Sequence, residues 1–294
     1  MISVIVPVYN EEAAVVGALK NIERALEGFS KKYEIIVIND GSSDRSRELI
    51  NSVKMNNLKV IDHPENMGYG KSLFEGILLA QYDCIAIIDG DGSYPTEKIK
   101  DLYSHYPKYD MIVGARQGKE YKRGILKRPA RMLFEHLAQY ATGRKIPDVN
   151  SGLRIFKKSL VMKFQDSLCT GFSFTTTLTL LFFLNFYYVK YVPIEYLKRG
   201  GKSKVRHFKD TLRAAQIIVQ AILYYNPIKL FLLIASINSV MGILIGMVNH
   251  FTLKSSILAG VAVVCTASFV PLFCLGLISD QLKKIYNLGR DQRI

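Results

Sequence analysis

The sequence predicts an α/β protein, a mostly parallel sheet with crossover helices, followed by two membrane-spanning helices. Three observations predict it. Short apolar runs alternate with amphipathic stretches through the first half of the chain, the pattern of strands joined by crossover helices. Two later apolar segments are each about twenty residues long, enough at about 1.5 Å per residue to cross a hydrocarbon core of about 30 Å. Finally, Asp89-Gly90-Asp91 ends the run Cys84-Ile85-Ala86-Ile87-Ile88, and open α/β sheets bind ligands at the carboxyl ends of such buried strands.

Taken in order, the apolar runs predict strands over 3–8, 33–38, 58–61, 84–88 and 111–113. The amphipathic stretches between them predict helices over 12–26, 44–55, 70–81 and 96–105. Residues 2–8 lead straight into a charged helical pattern, so no secretory signal is expected there. Two nucleotide-binding motifs fail on inspection. Gly68-Tyr69-Gly70-Lys71-Ser72 resembles the end of a P-loop, but Glu65 stands where its first glycine belongs. Pro7-Val8-Tyr9-Asn10-Glu11-Glu12 follows the first strand without a Gly-x-Gly-x-x-Gly turn.

Residues 121–144 begin with a basic stretch, and Ile125, Leu126, Met132, Leu133, Leu137 and Tyr140 recur at roughly helical spacing. Such a helix suits the headgroup plane of a membrane, the alternative being a surface helix with a solvated charged face. The two spans cover 228–248 and 256–278, with Lys229 their only charge. A connector of seven residues, 249–255, makes them a hairpin. Lys198, Arg199, Lys202, Lys204, Arg206, Lys209 and Arg213 precede the hairpin, and Lys283, Lys284, Arg290 and Arg293 follow it. By the positive-inside rule the large N-terminal region and the tail are expected in the cytoplasm of an integral membrane protein. Gly242, Gly246, Gly260 and Ala267 offer small residues for close helix packing, which is compatible with a homo-oligomer. The expected domains are 1–210 (catalytic, with an interfacial helix near 121–144), 211–227 (juxtamembrane helix), 228–279 (hairpin) and 280–294 (basic tail).

The net charge of +14 raises nucleic acid as a partner, but neither zinc-finger spacing nor an aromatic RNA-binding signature is present. Anionic lipid headgroups and a phosphate-bearing lipid fit the membrane-proximal position of the charge better. Cys84, Cys169, Cys265 and Cys274 show no Cys-x-x-Cys spacing, so reduced structural thiols and no metal cluster are expected. The carboxylates of Asp89 and Asp91, two apart on an extended segment, point the same way and can address one hard cation, the alternative being a solvated turn.

Four blocks together resemble the family 2 glycosyltransferases of the GT-A fold: Val4-Ile5-Val6-Pro7-Val8-Tyr9-Asn10-Glu11-Glu12, Val37-Ile38-Asn39-Asp40-Gly41-Ser42-Ser43-Asp44, Asn66-Met67-Gly68-Tyr69-Gly70-Lys71, and Asp89-Gly90-Asp91-Gly92-Ser93-Tyr94-Pro95. Their order and spacing match, which is far more specific than any single block. Asn150-Ser151-Gly152-Leu153-Arg154-Ile155-Phe156 and Arg199-Gly200-Gly201-Lys202-Ser203-Lys204 are similar to later blocks of the polyprenyl-phosphate branch, typified by dolichol-phosphate mannose synthase. The resemblance covers about residues 2–210.

The resemblance implies an inverting enzyme that moves one sugar from a UDP- or GDP-linked donor to dolichyl or undecaprenyl phosphate. Pro7, Tyr9, Glu11, Asp40 and Gly90 would line the donor, although Asp40 and Asp44 also suit a turn and a helix cap, and Tyr9 suits packing. Asp89 and Asp91 would hold Mg²⁺ or Mn²⁺, which acts as a Lewis acid on the leaving diphosphate. Many relatives follow the pair with Leu-Gln; here Gly92-Ser93 stands there, which leaves the third metal ligand open. Arg116 and, in a Gly-containing loop, Arg199 and Lys204 would hold donor phosphates. Arg131 and Arg154 would hold the acceptor phosphate, with a surface charge and a buried ion pair as their respective alternatives. In the wider family an acidic residue near Asp148 serves as base; in the polyprenyl-phosphate branch Asp148 would orient a sugar hydroxyl or a basic partner, the alternative being a structural loop cap.

Other readings compete. A transferase acting on a glycan or diphosphate-linked lipid has the same fold, as does an inactive nucleotide-sugar-binding membrane scaffold. A processive polysaccharide synthase would carry a Gln-x-x-Arg-Trp block, and this chain has no Trp.

Overall fold

The structure is a computed structural model, and it describes residues 1–27, 29, 32–122, 128–165, 174–200 and 207–291. The chain divides into two compact units, Met1–Ala215 and Gln216–Ile294.

The first unit is built on one seven-stranded sheet. β1 (Ile2–Val8) and β2 (Tyr33–Asn39) read as near-continuous apolar runs and are buried along almost their whole length, as central parallel strands covered on both faces must be. β3 (Leu58–Asp62) is the half-buried edge. β4 (Cys84–Ile87) pairs parallel with β1, and β5 (Met111–Gln117) pairs parallel with β7 (Val189–Glu195). β6 (Arg154–Lys157) runs antiparallel between β4 and β5. Across the sheet the order is β3-β2-β1-β4-β6-β5-β7. β1 therefore lies between β2 and β4, and the chain winds away from it in both directions. A crevice opens at such a switch point, at the carboxyl ends of β1 and β4.

Helices cover both faces. α1 (Val15–Glu27) buries Val15, Ala18, Leu19, Ile22 and Leu26, a stripe at helical spacing. It shares one core with α2 (Ser46–Ser52) and α4 (Lys98–Ser104). The opposite face is filled by α3 (Tyr69–Leu79), α7 (Lys158–Met162) and α8 (Phe174–Leu184). α3 lies close on the sheet because Gly76 has no side chain: a Cβ there would stand 2.5 Å from Ile5 Cγ2. The expected first five strands and four helices are all found, with ends shifted by up to about four residues. β6, β7, α7 and α8 had no sequence signal. α8 reads FTTTLTLLFFL, rich in β-branched residues, and is helical because it is buried nearly all round.

Within 121–144 the chain forms α5 (Lys119–Lys122) and α6 (Arg128–Thr142), with 123–127 outside the described residues. α6 packs against α8 and buries Ala138 and Ala141, while Met132 and Tyr140 are exposed.

α9 (His207–Tyr225) carries the chain into the second unit. There α10 (Pro227–Val248) packs against α11 (Ser256–Ala267) and α12 (Phe269–Asp291). Two stretches, Pro227–Thr252 and Ser256–Lys283, are long and apolar enough to cross a membrane, with mean hydropathy 2.2 and 2.4. The second is interrupted at Ser268, three residues before Pro271, which has no N–H to continue the ladder. Asn238 Nδ2 donates to Ser268 Oγ at 2.7 Å. Gly242 allows α10 to approach α11, since a Cβ there would meet Thr266 Oγ1 at 2.6 Å and Ala262 O at 2.8 Å. The described cysteines, Cys84, Cys265 and Cys274, are free thiols; Cys169 lies outside the described residues.

Candidate active site

The carboxyl end of β1 is braced by the loop after β2. Asn10 takes a left-handed conformation, φ 52°, and its Oδ1 accepts the Ser43 N–H at 2.7 Å. Glu11 N–H donates to Ser46 Oγ at 2.7 Å, and Asp44 Oδ1 accepts the Ser46 N–H at 2.9 Å. Asp44 is therefore a turn residue at the start of α2. Pro7, next to last in β1, lies beside Ile38 of β2, and Tyr9 follows the strand, half-buried. Asp40 is buried, and its carboxylate accepts from Met67 N–H (2.8 Å) and Gly68 N–H (2.9 Å) and lies 2.8 Å from His63 Nδ1.

Beside this lies the Asp89–Asp91 loop. Gly90 passes tightly over β1, where a Cβ would stand 2.9 Å from Val8 Cγ2. Tyr69 Oη donates to Asp89 Oδ1 at 2.9 Å. Burial, then the neighbouring Asp91 charge, pushes the Asp89 carboxyl up to about 6. Asp91 is buried, and its Oδ1 accepts both Ser93 N–H (2.9 Å) and Ser93 Oγ–H (2.6 Å). Ser93 thus orients Asp91. Asp91 Oδ2 lies 3.0 Å from Arg199 Nε, and Arg199 Nη2 donates to Glu11 Oε1 at 2.6 Å. Glu11, Asp91 and Arg199 therefore meet at one point. The segment carrying Arg199 is fastened to the same loop through Leu197 N–H to Ser93 O (2.9 Å) and Gly200 N–H to Asp91 O (3.2 Å).

On the other flank Asp148 grips Arg116. Its Oδ2 accepts Arg116 Nε (2.7 Å) and the Arg116 backbone N–H (3.1 Å), and its Oδ1 accepts Nη2 (2.8 Å). Burial opposes the Asp148 charge, but Arg116 outweighs it and holds the carboxyl below its usual range. The guanidinium carbon sits 5.1 Å from the Tyr121 ring centroid and 5.5 Å from that of Tyr196, within cation–π range. Tyr196 meets Tyr94 edge to face at 5.4 Å. Tyr94 Oη accepts the Gly152 N–H at 2.6 Å, and Gly152 abuts Asp89. Tyr69, Tyr94, Tyr196, Ser93 and Gly152 carried no role in the sequence reading; only the assembled loops bring them to the carboxylates.

The expectation for Arg154 as a holder of acceptor phosphate does not fit this geometry. Arg154 is fully buried on β6, donating to Ser151 O (2.7 and 3.0 Å), Thr175 O (3.0 Å) and Thr179 Oγ1 (3.0 Å). No carboxylate pairs with it among the described residues, so the buried ion pair is absent too. It ties the Asn150-Ser151-Gly152 turn to the start of α8. Arg131 belongs to α6, but its side chain is outside those described, and Lys204 lies outside the described residues.

Asp89 and Asp91 supply hard carboxylate oxygens on one loop, which suits Mg²⁺ or Mn²⁺. Among the described residues no group of three His, Cys, Asp or Glu side chains is arranged to hold a metal ion. A divalent ion here therefore needs phosphate or water oxygens to complete its shell.

A carboxylate pair at the switch point of a mostly parallel sheet, flanked by Arg116 and Arg199, is the arrangement the resemblance to glycosyltransferases of the GT-A fold implies. The chain belongs to glycosyl transferase family 2, whose family model matches residues 3–164. It is similar to the dolichyl-phosphate hexose transferase of Haloferax volcanii, 28% identical over 227 residues that cover 76% of this chain and 94% of that one. It is also similar to the undecaprenyl-phosphate 4-deoxy-4-formamido-L-arabinose transferase of Aeromonas hydrophila, 30% identical over 165 residues, 55% of this chain and 50% of that one. Among solved structures, glucosyl-3-phosphoglycerate synthase from Mycobacterium tuberculosis, in complex with Mn²⁺, UDP-glucose and phosphoglyceric acid, shares the fold. Its TM-score is 0.60 at 17% identity, over 75% of this chain and 79% of that one.

Proposed function

We propose that this glycosyltransferase moves one sugar from a nucleotide-sugar to a polyprenyl phosphate at the cytoplasmic face of a membrane, with inversion. The observation that carries the reading is the state of Asp148. Its carboxylate is locked onto Arg116 through both oxygens and is poorly placed to take a proton. A sugar hydroxyl needs a general base, whereas a phosphate monoester is already ionised near neutral pH. The named acceptors of the two relatives, dolichyl phosphate and undecaprenyl phosphate, are of that kind.

In this mechanism Pro7, Tyr9 and Asp40 border the nucleoside, and Glu11 and Gly90 lie toward the diphosphate. Asp89 and Asp91 would hold Mg²⁺ or Mn²⁺, ions found with structural neighbours of this fold, and such an ion would supply positive charge to offset that of the leaving diphosphate. Ser93 keeps Asp91 aimed, and Arg116, aligned by Asp148, stabilises negative charge as the sugar–oxygen bond breaks. Arg199 is a second cation on the opposite flank, held by Glu11 and Asp91, with Lys204 a few residues on in the sequence. Arg131 remains a candidate for the acceptor phosphate. A single displacement by the acceptor, with no covalent sugar–enzyme intermediate, inverts the anomeric carbon. The division of labour is catalysis in 1–210, a juxtamembrane helix at 211–227, anchoring by 228–279 and a basic tail over 280–294. The basic flanks support a cytoplasmic catalytic region.

The test is transfer by the full chain in detergent, with a panel of radiolabelled UDP- and GDP-sugars and dolichyl or undecaprenyl phosphate. One donor is expected to give a lipid-linked product with inverted anomeric configuration. Asp91→Ala is expected to lose at least about a hundredfold in turnover, the scale of removing one electrostatic element from such a site, with an unchanged far-UV spectrum. Wild-type turnover in that variant overturns the metal assignment, and no lipid-linked product from any donor favours the scaffold reading.

A further inference from the structure

The mechanism leaves the buried imidazole of His63 without a role. His63 follows β3, and its backbone N–H donates to Asn39 O at 2.9 Å. Its side chain is 7% exposed and lies between two carboxylates, with Nδ1 2.8 Å from Asp40 Oδ1 and Nε2 3.0 Å from Glu75 Oε2. A neutral imidazole carries one N–H and can satisfy only one of these contacts; satisfying both requires the imidazolium. Burial disfavours that charge, but the two carboxylates outweigh it and hold the histidine above its ordinary value.

Each end of the bridge matters to a different element. Asp40 ends β2 and also accepts the N–H groups of Met67 and Gly68. Gly68, at φ 98°, makes the turn into α3, and Glu75 lies on α3 itself. Gly41 packs so closely on this loop that a Cβ there would come within 2.6 Å of Asn66 N. The ring thus joins the end of β2, the 63–68 loop and α3.

We infer that His63 is a positioning residue for the nucleotide-sugar: its imidazolium clamps Asp40 to Glu75, and opening the clamp weakens binding at the donor's nucleoside end. The inference rests on the reading that Asp40 borders the nucleoside. The charged groups facing the ring are Asp40, from the end of β2, and Glu75, from α3. Asp62, next in the chain, is engaged by Asn39 Nδ2 (2.7 Å) and Arg47 Nε (3.3 Å). When the ring loses a proton, a nitrogen lone pair must face a carboxylate oxygen. Asp40, 4% exposed, is held by two backbone N–H groups, whereas Glu75 is 31% exposed and can turn to water. The remaining proton therefore stays on Nδ1, Glu75 lets go, and the tie to α3 is broken.

Two measurements on the full chain in detergent test this. ¹³C-labelled histidine NMR follows the ring titration, with His63 assigned by its absence in His63→Asn. Calorimetry with UDP and GDP in the presence of Mg²⁺ follows nucleotide affinity across about pH 6 to 9. The His63 signal is expected to titrate above 6.5, and nucleotide affinity to fall about ten- to a hundredfold through the same range, the scale of one lost charge-assisted hydrogen bond. The shorter amide side chain of His63→Asn can reach Asp40 but not Glu75, so that variant should fold, bind more weakly at about pH 6 and lose this pH dependence. Glu75→Gln should move the ring titration and the affinity break together to lower pH. A His63 midpoint at or below 6.5, or a raised midpoint with unaltered nucleotide affinity in His63→Asn, overturns the inference. If neither nucleotide binds the wild type, the donor-site reading fails and this inference with it.

Discussion

Gly152 lies directly against the Asp89 carboxylate: a Cβ built on it would stand 2.8 Å from both Asp89 Cγ and Oδ1. Gly152 has no positive φ, so the position requires glycine for space rather than for torsion. Asp89 cannot easily retreat, because Tyr69 holds Oδ1 and the Gly152 N–H is itself fixed by Tyr94. Gly152→Ala should therefore push the carboxylate off its aim. Overpacking of this kind costs about 1–3 kcal/mol, placed here at the site rather than in the core. Turnover is expected to fall about tenfold or more, with a raised Mg²⁺ requirement and a thermal midpoint within a few degrees of wild type. Wild-type turnover at low Mg²⁺ would show that Asp89 does not need this position.

Glu34 predicts an acid limit to stability. It is a buried carboxylate on β2 that accepts Ser3 Oγ–H (2.6 Å), Gln81 N–H (2.6 Å) and Lys59 Nζ (2.8 Å). Burial alone would raise its pKa, but Lys59, Ser3 and Gln81 outweigh burial and hold it below the usual 4.5. A group whose folded pKa is depressed stabilises fully above its unfolded value, and that contribution fades as pH falls through the folded one. Glu34→Gln turns one charge-assisted contact into a donor facing Lys59, a loss of about 2 kcal/mol. Thermal melts should show the variant several degrees less stable from about pH 7 to 5, with the gap narrowing below 4.5. A gap that stays constant down to about pH 3 would exclude Glu34 as its origin.

What was legible in the sequence followed from continuity along the chain. β4 announces itself as an unbroken apolar run, and the two carboxylates at its end inherit their meaning from that position. Arg116 was likewise legible as a cation at the end of the fifth run. The two long apolar helices were legible from length and composition alone, which decide whether a helix can reach across a hydrocarbon core. Contacts between distant segments were not legible. β6 has four residues and places Arg154, a charged residue, fully buried in the sheet centre, so hydropathy gives no sign of a strand. For Arg154 the family-like Asn150–Phe156 block left a phosphate contact and a buried ion pair open; its engagement by carbonyls of the Ser151 turn and α8 needs the fold. Ser93 could be seen only as a missing Gln, and its two hydrogen bonds to Asp91 arise from a turn whose Gly92 stands at φ 73°. The Asp40–His63 contact joins residues 23 apart and had no motif to mark it.

The Asp148–Arg116 pair separates a positioning role from a proton-transfer role. If Asp148 takes a proton from the acceptor, Asp148→Asn removes the base: turnover collapses, donor binding is untouched, and the acid limb of the pH–rate profile disappears. If Asp148 aligns Arg116, the variant keeps one acceptor oxygen for the Arg116 backbone N–H and Nε but loses the bidentate grip and the charge. Arg116 then moves against Tyr121 and Tyr196, and donor affinity falls together with turnover. Removing one partner of a buried pair costs about 3–5 kcal/mol; Arg116 retains 18% side-chain exposure, so water can offset part of that. The expected outcome is a donor KM raised about tenfold, turnover reduced by a similar factor, and an acid limb that persists. The double variant Asp148→Asn with Arg116→Gln should be little worse than Arg116→Gln alone, because the two act as one unit. Full additivity of the two losses would show that Asp148 acts independently of Arg116, and would return it to the role of base.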